Sequence, residues 1–165
     1  LYRLALAILQ NEREAKQEAG KEPQMPAANE VSLIDIALPD LYGKIRRLSD
    51  LKGKVVLLDF SAYEGKYSPD YNRALAQLYQ KYHRQGLEIY QVSIDPNENL
   101  WQVSADNLPW ICVRDADTTR SRAALSYNVQ SLPTAFLIDR QNTLQQRVAK
   151  LSDLPQAIEK LLKQK

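Results

Sequence analysis

Val55-Val56-Leu57-Leu58-Asp59-Phe60 is an unbroken apolar run with one acid in it. Lys52-Gly53-Lys54 ahead of it reads as a turn. A run this short and this apolar is the pattern of a strand buried on both faces. Such a strand needs layers above and below it, so it excludes a helical bundle and an open two-layer sheet. The adjoining chain supplies the first of those layers. Ser68-Pro69-Asp70 is a helix start, with a capping residue, a proline suited to the first turn and an acid at the positive end of the dipole. Tyr71, Leu75, Leu78, Tyr79 and Tyr82 then recur at helical spacing, and Gly86 stops the pattern.

The alternation continues. Leu87–Ile94 reads as a strand, 97–107 as a helix carrying Trp101, Trp110–Val113 as a short strand and Thr119–Tyr127 as a short helix. Thr134–Ile138 and Leu144–Ala149 are strands about the turn Asp139-Arg140-Gln141-Asn142, and Ser152–Lys163 is a last helix with Ser152 as its expected cap. Upstream, Leu33–Leu38 and Ile45–Leu48 read as a hairpin turning through Asp40-Leu41-Tyr42-Gly43-Lys44. The order predicts an α/β three-layer sandwich around a mixed central sheet.

Residues 1 to about 20 are rich in helix formers, and 21–29, with Pro23 and Pro26, read as a linker. The expected organisation is an N-terminal helix and linker over 1–29 and a globular domain over 30–165. The helix is either the tail of an upstream domain or an element docked on this one. The chain begins without Met, and its apolar start lacks a small-residue cleavage site, so an export signal is expected, if anywhere, further upstream.

Net charge is +2, too little to argue for nucleic acid or an anionic membrane surface. No stretch approaches the ~20 apolar residues of a transmembrane helix. No metal-ligand spacing or cofactor fingerprint is present, so no cofactor or metal is expected. Cys112 is the one cysteine, so these 165 residues cannot form an internal disulfide.

Four segments together resemble the thioredoxin-like superfamily. Leu38-Pro39-Asp40-Leu41-Tyr42-Gly43-Lys44 with Leu48-Ser49-Asp50-Leu51-Lys52-Gly53-Lys54 is similar to its N-terminal hairpin. Val55–Phe60 is similar to the strand that leads into its active site, and Leu87–Asp95 to the next strand. Tyr127-Asn128-Val129-Gln130-Ser131-Leu132-Pro133-Thr134-Ala135-Phe136-Leu137-Ile138-Asp139 is similar to the segment that holds its cis-proline. Within the superfamily the chain most resembles the envelope thiol-disulfide oxidoreductases of cytochrome c maturation and their relatives near the peroxiredoxins. The resemblance implies a thioredoxin-like fold over about 33–163 and a place on the periplasmic side of the bacterial cell envelope.

It also implies where a Cys-x-x-Cys pair should stand. Counting without gaps from Phe60, the two positions fall on Gly65 and Ser68, with Lys66 and Tyr67 between them. Disulfide exchange needs a low-pKa thiolate at the helix start and a second thiol three residues on. Glycine has no side chain, and serine needs an activating base. The only histidine, His83, lies about four turns along the same predicted helix, so Ser68 reads as a helix cap rather than a nucleophile.

Asp59 falls where the superfamily keeps a buried acid. It reads as a relic, as a polar anchor hydrogen-bonded beneath the site, or as a structural acid paired with a cation or water. Cys112, inside an apolar strand, reads as a small buried hydrophobe, the alternative being a reactive thiol. Pro133, with Leu132 before it, either flanks a groove that pairs with an extended peptide or only sets the backbone of the next strand. Tyr63 and Tyr67 are candidate exposed contacts, Tyr71 a core residue, and Lys66 a cation beside the helix start. Three functions remain open: a redox-inactive module binding a protein or extended peptide through Tyr63, Tyr67, Leu132 and Pro133; a structural domain docking an upstream domain; or thiol-disulfide activity through Cys112 with a partner's thiol.

Overall fold

The computed structural model describes residues 31–164. The helix and linker expected over 1–29 lie outside the described residues. The described chain runs β1 (Val31–Ser32), β2 (Ala37–Pro39), β3 (Ile45–Arg47), β4 (Val55–Ser61), α1 (Ser68–Tyr82), β5 (Leu87–Ser93), α2 (Glu98–Ala105), β6 (Ile111–Arg114), α3 (Arg122–Ser126), β7 (Thr134–Ile138), β8 (Thr143–Arg147) and α4 (Leu154–Lys163). The main sheet has six strands in the order β1-β8-β7-β4-β5-β6, and β2 and β3 form a separate hairpin. β4, β5 and β6 run parallel, while β7 and β8 are antiparallel to their neighbours. This is the mixed α/β sandwich expected from the element order, and it agrees with the thioredoxin-like fold that the resemblance implies.

β4 is buried along its whole length, as its composition requires. Its side chains alternate between two cores. Val55 and Leu57 face α1, α2 and α4, meeting Leu75, Leu78, Trp101, Ile158 and Leu161. Val56, Leu58 and Phe60 face the opposite side, with Leu48, Tyr90, Tyr127 and Phe136. Asp59 has the same parity as Val55 and Leu57, so it points towards α1. The register then sets Ala135, Asp59, Gln91 and Cys112 in one row across β7, β4, β5 and β6. That row lies beneath the start of α1 and organises the site.

Several boundaries differ from expectation. The upstream hairpin is shorter than predicted, and Val31–Ser32 instead pairs with β8 at the sheet edge. Two residues carry no visible periodicity, so sequence patterning could not find this strand. The helix expected over 119–127 is a 3-10 turn at Thr118–Arg120 followed by α3, broken at Ser121, whose hydroxyl accepts from the Ala124 N–H. Ser152 is not a cap: it lies in a 3-10 turn, Leu151–Asp153, and α4 starts at Leu154 without a side-chain cap bond.

Candidate functional site

The site lies where β4, β5 and β6 end and β7 begins. β4 delivers the chain into the junction 62–67, and α1 carries it away. The junction is fixed from below by Asp95, a buried carboxylate that accepts the backbone N–H of Tyr63 at 2.8 Å and of Glu64 at 3.0 Å. Ser93 Oγ donates to the same carboxylate at 2.5 Å. Two amide donors of this turn, those of Tyr63 and Glu64, are therefore taken up by the Asp95 side chain.

Gly65 and Ser68 occupy the two positions that the resemblance assigns to sulfur. Neither is vacant space. The Tyr67 ring lies across Gly65, and a Cβ built there would stand 2.2 Å from Tyr67 Cε2. The Tyr67 hydroxyl accepts the Ala62 N–H at 2.8 Å, and its ring meets Tyr71 edge-on at 6.0 Å. Ser68 is the first residue of α1 rather than its cap. It is buried, and its Oγ accepts from Asn72 Nδ2 at 2.9 Å. His83 follows the last residue of α1 and stacks on Tyr79 at 4.4 Å. The length of the helix, about 22 Å, separates it from Ser68.

Tyr63 and Tyr67, expected as exposed contacts, are turned inward. Tyr63 donates its hydroxyl to Gln91 Oε1 at 2.6 Å and lies 3.7 Å from Cys112 Sγ. Burial pushes its phenol further towards the neutral form, with Cys112 adding to the shift. An amphipathic ring satisfies its hydroxyl wherever a partner exists, and here the nearest partner is the core. Lys66 remains exposed. Tyr71, expected only in the core, also lines the open cavity beside Pro133.

Asp59 is fully buried, and among the described residues hydrogen-bond donors rather than a cation surround it. It accepts from the Tyr71 hydroxyl, from Ser61 Oγ at 2.8 Å and from Gln91 Nε2 at 3.0 Å. Burial pushes its carboxyl up to about 6, while the three donors pull it back. Gln91 is the hub that sequence reasoning missed. Its amide nitrogen donates to Asp59 and, at 2.7 Å, to Asn72 Oδ1. Its carbonyl accepts from Tyr63 and, at 3.1 Å, from Trp110 Nε1. The signal available was an amide in strand Leu87–Ser93 at the same parity as the apolar Leu87 and Ile89.

Cys112 closes the row. It is 4% exposed, and its thiol sits between Tyr63, Gln91 and the Trp110 carbonyl. Burial pushes the thiol up to about 12. A cavity of about 120 Å³ at the outer edge of β6 reaches it past Leu41, Tyr42 and Leu108. It does not open beside Pro133, whose own cavity is bounded by other residues.

The other end of the row is open. The Leu132–Pro133 peptide is cis. Beside it lies a cavity of about 190 Å³ bounded by Tyr71, Pro133, Ala135, Val148, Ala149 and Leu151. Among the described residues, the Leu132 N–H and C=O make no hydrogen bond. An apolar cavity beside a free backbone donor and acceptor can take one side chain of an extended chain and pair with its main chain.

The profile of the AhpC/TSA family matches residues 31–147, which include every strand and the whole junction ahead of α1. The chain belongs to the AhpC/TSA family. It is 33% identical over 114 residues to the thiol-disulfide oxidoreductase ResA of Geobacillus kaustophilus, covering 68% of this chain and 64% of that protein. It is 32% identical over 117 residues to human nucleoredoxin, covering 67% of this chain and 27% of the relative. The chain thus spans less than two thirds of either protein. A thioredoxin-like protein from Bacteroides vulgatus superposes with a TM-score of 0.75 at 50% identity, covering 86% of this chain and 91% of that one. A thiol:disulfide interchange protein from Bacteroides sp. gives a TM-score of 0.70 at 26% identity, over 82% and 91% of the two chains. This AhpC/TSA member is therefore thioredoxin-like and related to thiol-disulfide oxidoreductases. Among its described residues no helix is long and apolar enough to cross a membrane.

Proposed function

We propose that the chain is a thioredoxin-fold binding module that carries no two-cysteine chemistry and holds an extended peptide in the groove beside Leu132–Pro133. One observation carries the reading: the sulfur positions hold a seated aromatic ring and a buried, hydrogen-bonded hydroxyl, while the neighbouring groove stays open. Burial holds the Cys112 thiol in its neutral form, so Cys112 is a poor nucleophile. By kinship with its relatives, the module works in the bacterial cell envelope on the periplasmic side, which fractionation of the native organism would test.

Binding is tested by probing an array of nine-residue peptides with the full chain. A subset should bind, and Leu151→Glu or Val148→Glu should weaken that binding at least tenfold by placing a charge in the apolar cavity. An array with no positives, or positives indifferent to both substitutions, removes the reading. Insulin reduction should stay at background and be unchanged by Cys112→Ser. Turnover that this substitution abolishes would restore the redox alternative.

A further inference from the structure

The place occupied by the Tyr67 ring has a defined chemistry. One wall is the Cα of Gly65, where a methyl group would already collide with the ring at 2.2 Å. A second wall is the Tyr71 ring, met edge-on at 6.0 Å. The floor is the Ala62 N–H, which donates to the phenol oxygen at 2.8 Å. These three features fit a phenol better than a benzene ring, because the amide otherwise has no acceptor in this arrangement. Tyr67 itself is only half-buried and sits on the short segment ahead of α1. Its neighbour Tyr71 also bounds the cavity beside Pro133, so the ring's seat and the groove share a wall.

The geometry points to a tyrosine-recognising subsite of the groove, held shut in cis by Tyr67. A bound extended peptide pairs with Leu132 and places its own tyrosine in the seat as Tyr67 swings out to solvent. Gly65 is then a specificity residue: its missing side chain makes the seat. This inference rests on the groove-binding reading and adds the class of side chain that the groove selects.

The test uses N-acetyl-L-tyrosinamide as probe, with N-acetyl-L-phenylalaninamide as control, titrated by calorimetry into the full chain. Removing the cis occupant with Tyr67→Ala should tighten tyrosinamide binding at least tenfold over the parent and tighten phenylalaninamide binding less. Adding Gly65→Ala to Tyr67→Ala should abolish the gain, because the new methyl fills the seat. Cooperative melting checks that each variant folds, and Tyr67→Ser replaces Tyr67→Ala if the latter does not melt cooperatively. The proposal falls if Tyr67→Ala gains nothing, if both probes gain equally, or if the gain survives Gly65→Ala. Such a failure with array binding intact overturns only the subsite. An array without positives overturns the groove reading, while the amide titration still decides the seat.

Discussion

The row Ala135–Asp59–Gln91–Cys112 has two ends with opposite characters. At the Ala135 end, Pro133, Val148 and Leu151 leave a cavity, and Leu132 offers an unpaired backbone edge. At the Cys112 end, Tyr63, Trp110 and Gln91 pack about the sulfur, which a smaller cavity past Leu41, Tyr42 and Leu108 reaches from the far side. Both ends belong to one fold and one strand register. The difference lies in where hydroxyl-bearing rings find partners. Tyr63 and Tyr67 satisfy their hydroxyls on internal groups and so seal the junction ahead of α1. Among the described residues nothing comparable reaches across Pro133. Within one thioredoxin-like sheet, the chain's own rings can thus fill the junction ahead of α1 while a cavity remains beside Pro133.

If the sealed end is a satisfied polar core, its hub should matter most. Gln91→Leu removes the acceptor of the Trp110 N–H, the nearer acceptor of the Tyr63 hydroxyl, the donor to Asn72 Oδ1 and one of the three donors to Asp59. Two to three stranded buried groups predict a loss of about 4 kcal/mol in urea unfolding. A loss under about 1 kcal/mol would mean that the network is not what holds this end together.

Asp59 predicts the next largest effect. Its folded pKa of about 6 lies above the ordinary unfolded value, so the folded state binds the extra proton. Stability is therefore greatest below about pH 4 as far as this group is concerned, and falls as pH rises from about 4 to above 6. At about 1.4 kcal/mol per pKa unit the full loss is about 3 kcal/mol. Comparing unfolding at pH 4 and pH 7 for the parent and Asp59→Asn checks this, because the variant should lack that part of the slope. An identical slope in both would place the titration elsewhere.

Gly65→Ala should be the mildest of the three. It displaces the Tyr67 ring and its bond to Ala62, at about 1 kcal/mol, with the fold intact. A collapse of several kcal/mol would show that the ring cannot leave its seat, which would break the contrast between a fillable and an open end.

The fold was legible because β4 is apolar on both faces and α1 has clear helical periodicity, and these two elements require the layers around them. Strand β1 was not legible, since two residues show no pattern. At the site, Gly65 and Ser68 could be read directly as places without sulfur. The inward turn of Tyr63 and Tyr67 could not, because an amphipathic ring at a loop suits solvent and core equally until a partner hydroxyl, amide or carbonyl stands beside it. Gln91 was overlooked for a related reason: its four hydrogen bonds reach Asp59, Tyr63, Asn72 and Trp110, which approach it from β4, the junction, α1 and the segment before β6.

The sequence by itself settled that no sulfur stands at Gly65 or Ser68, because a string of residues either has a cysteine at a position or does not. It also settled the layered architecture, because burial on alternate faces is written in local spacing. Only the tertiary structure decided which end of the row is shut and which is open. That outcome depends on distances between residues far apart in the chain, and no local pattern encodes them.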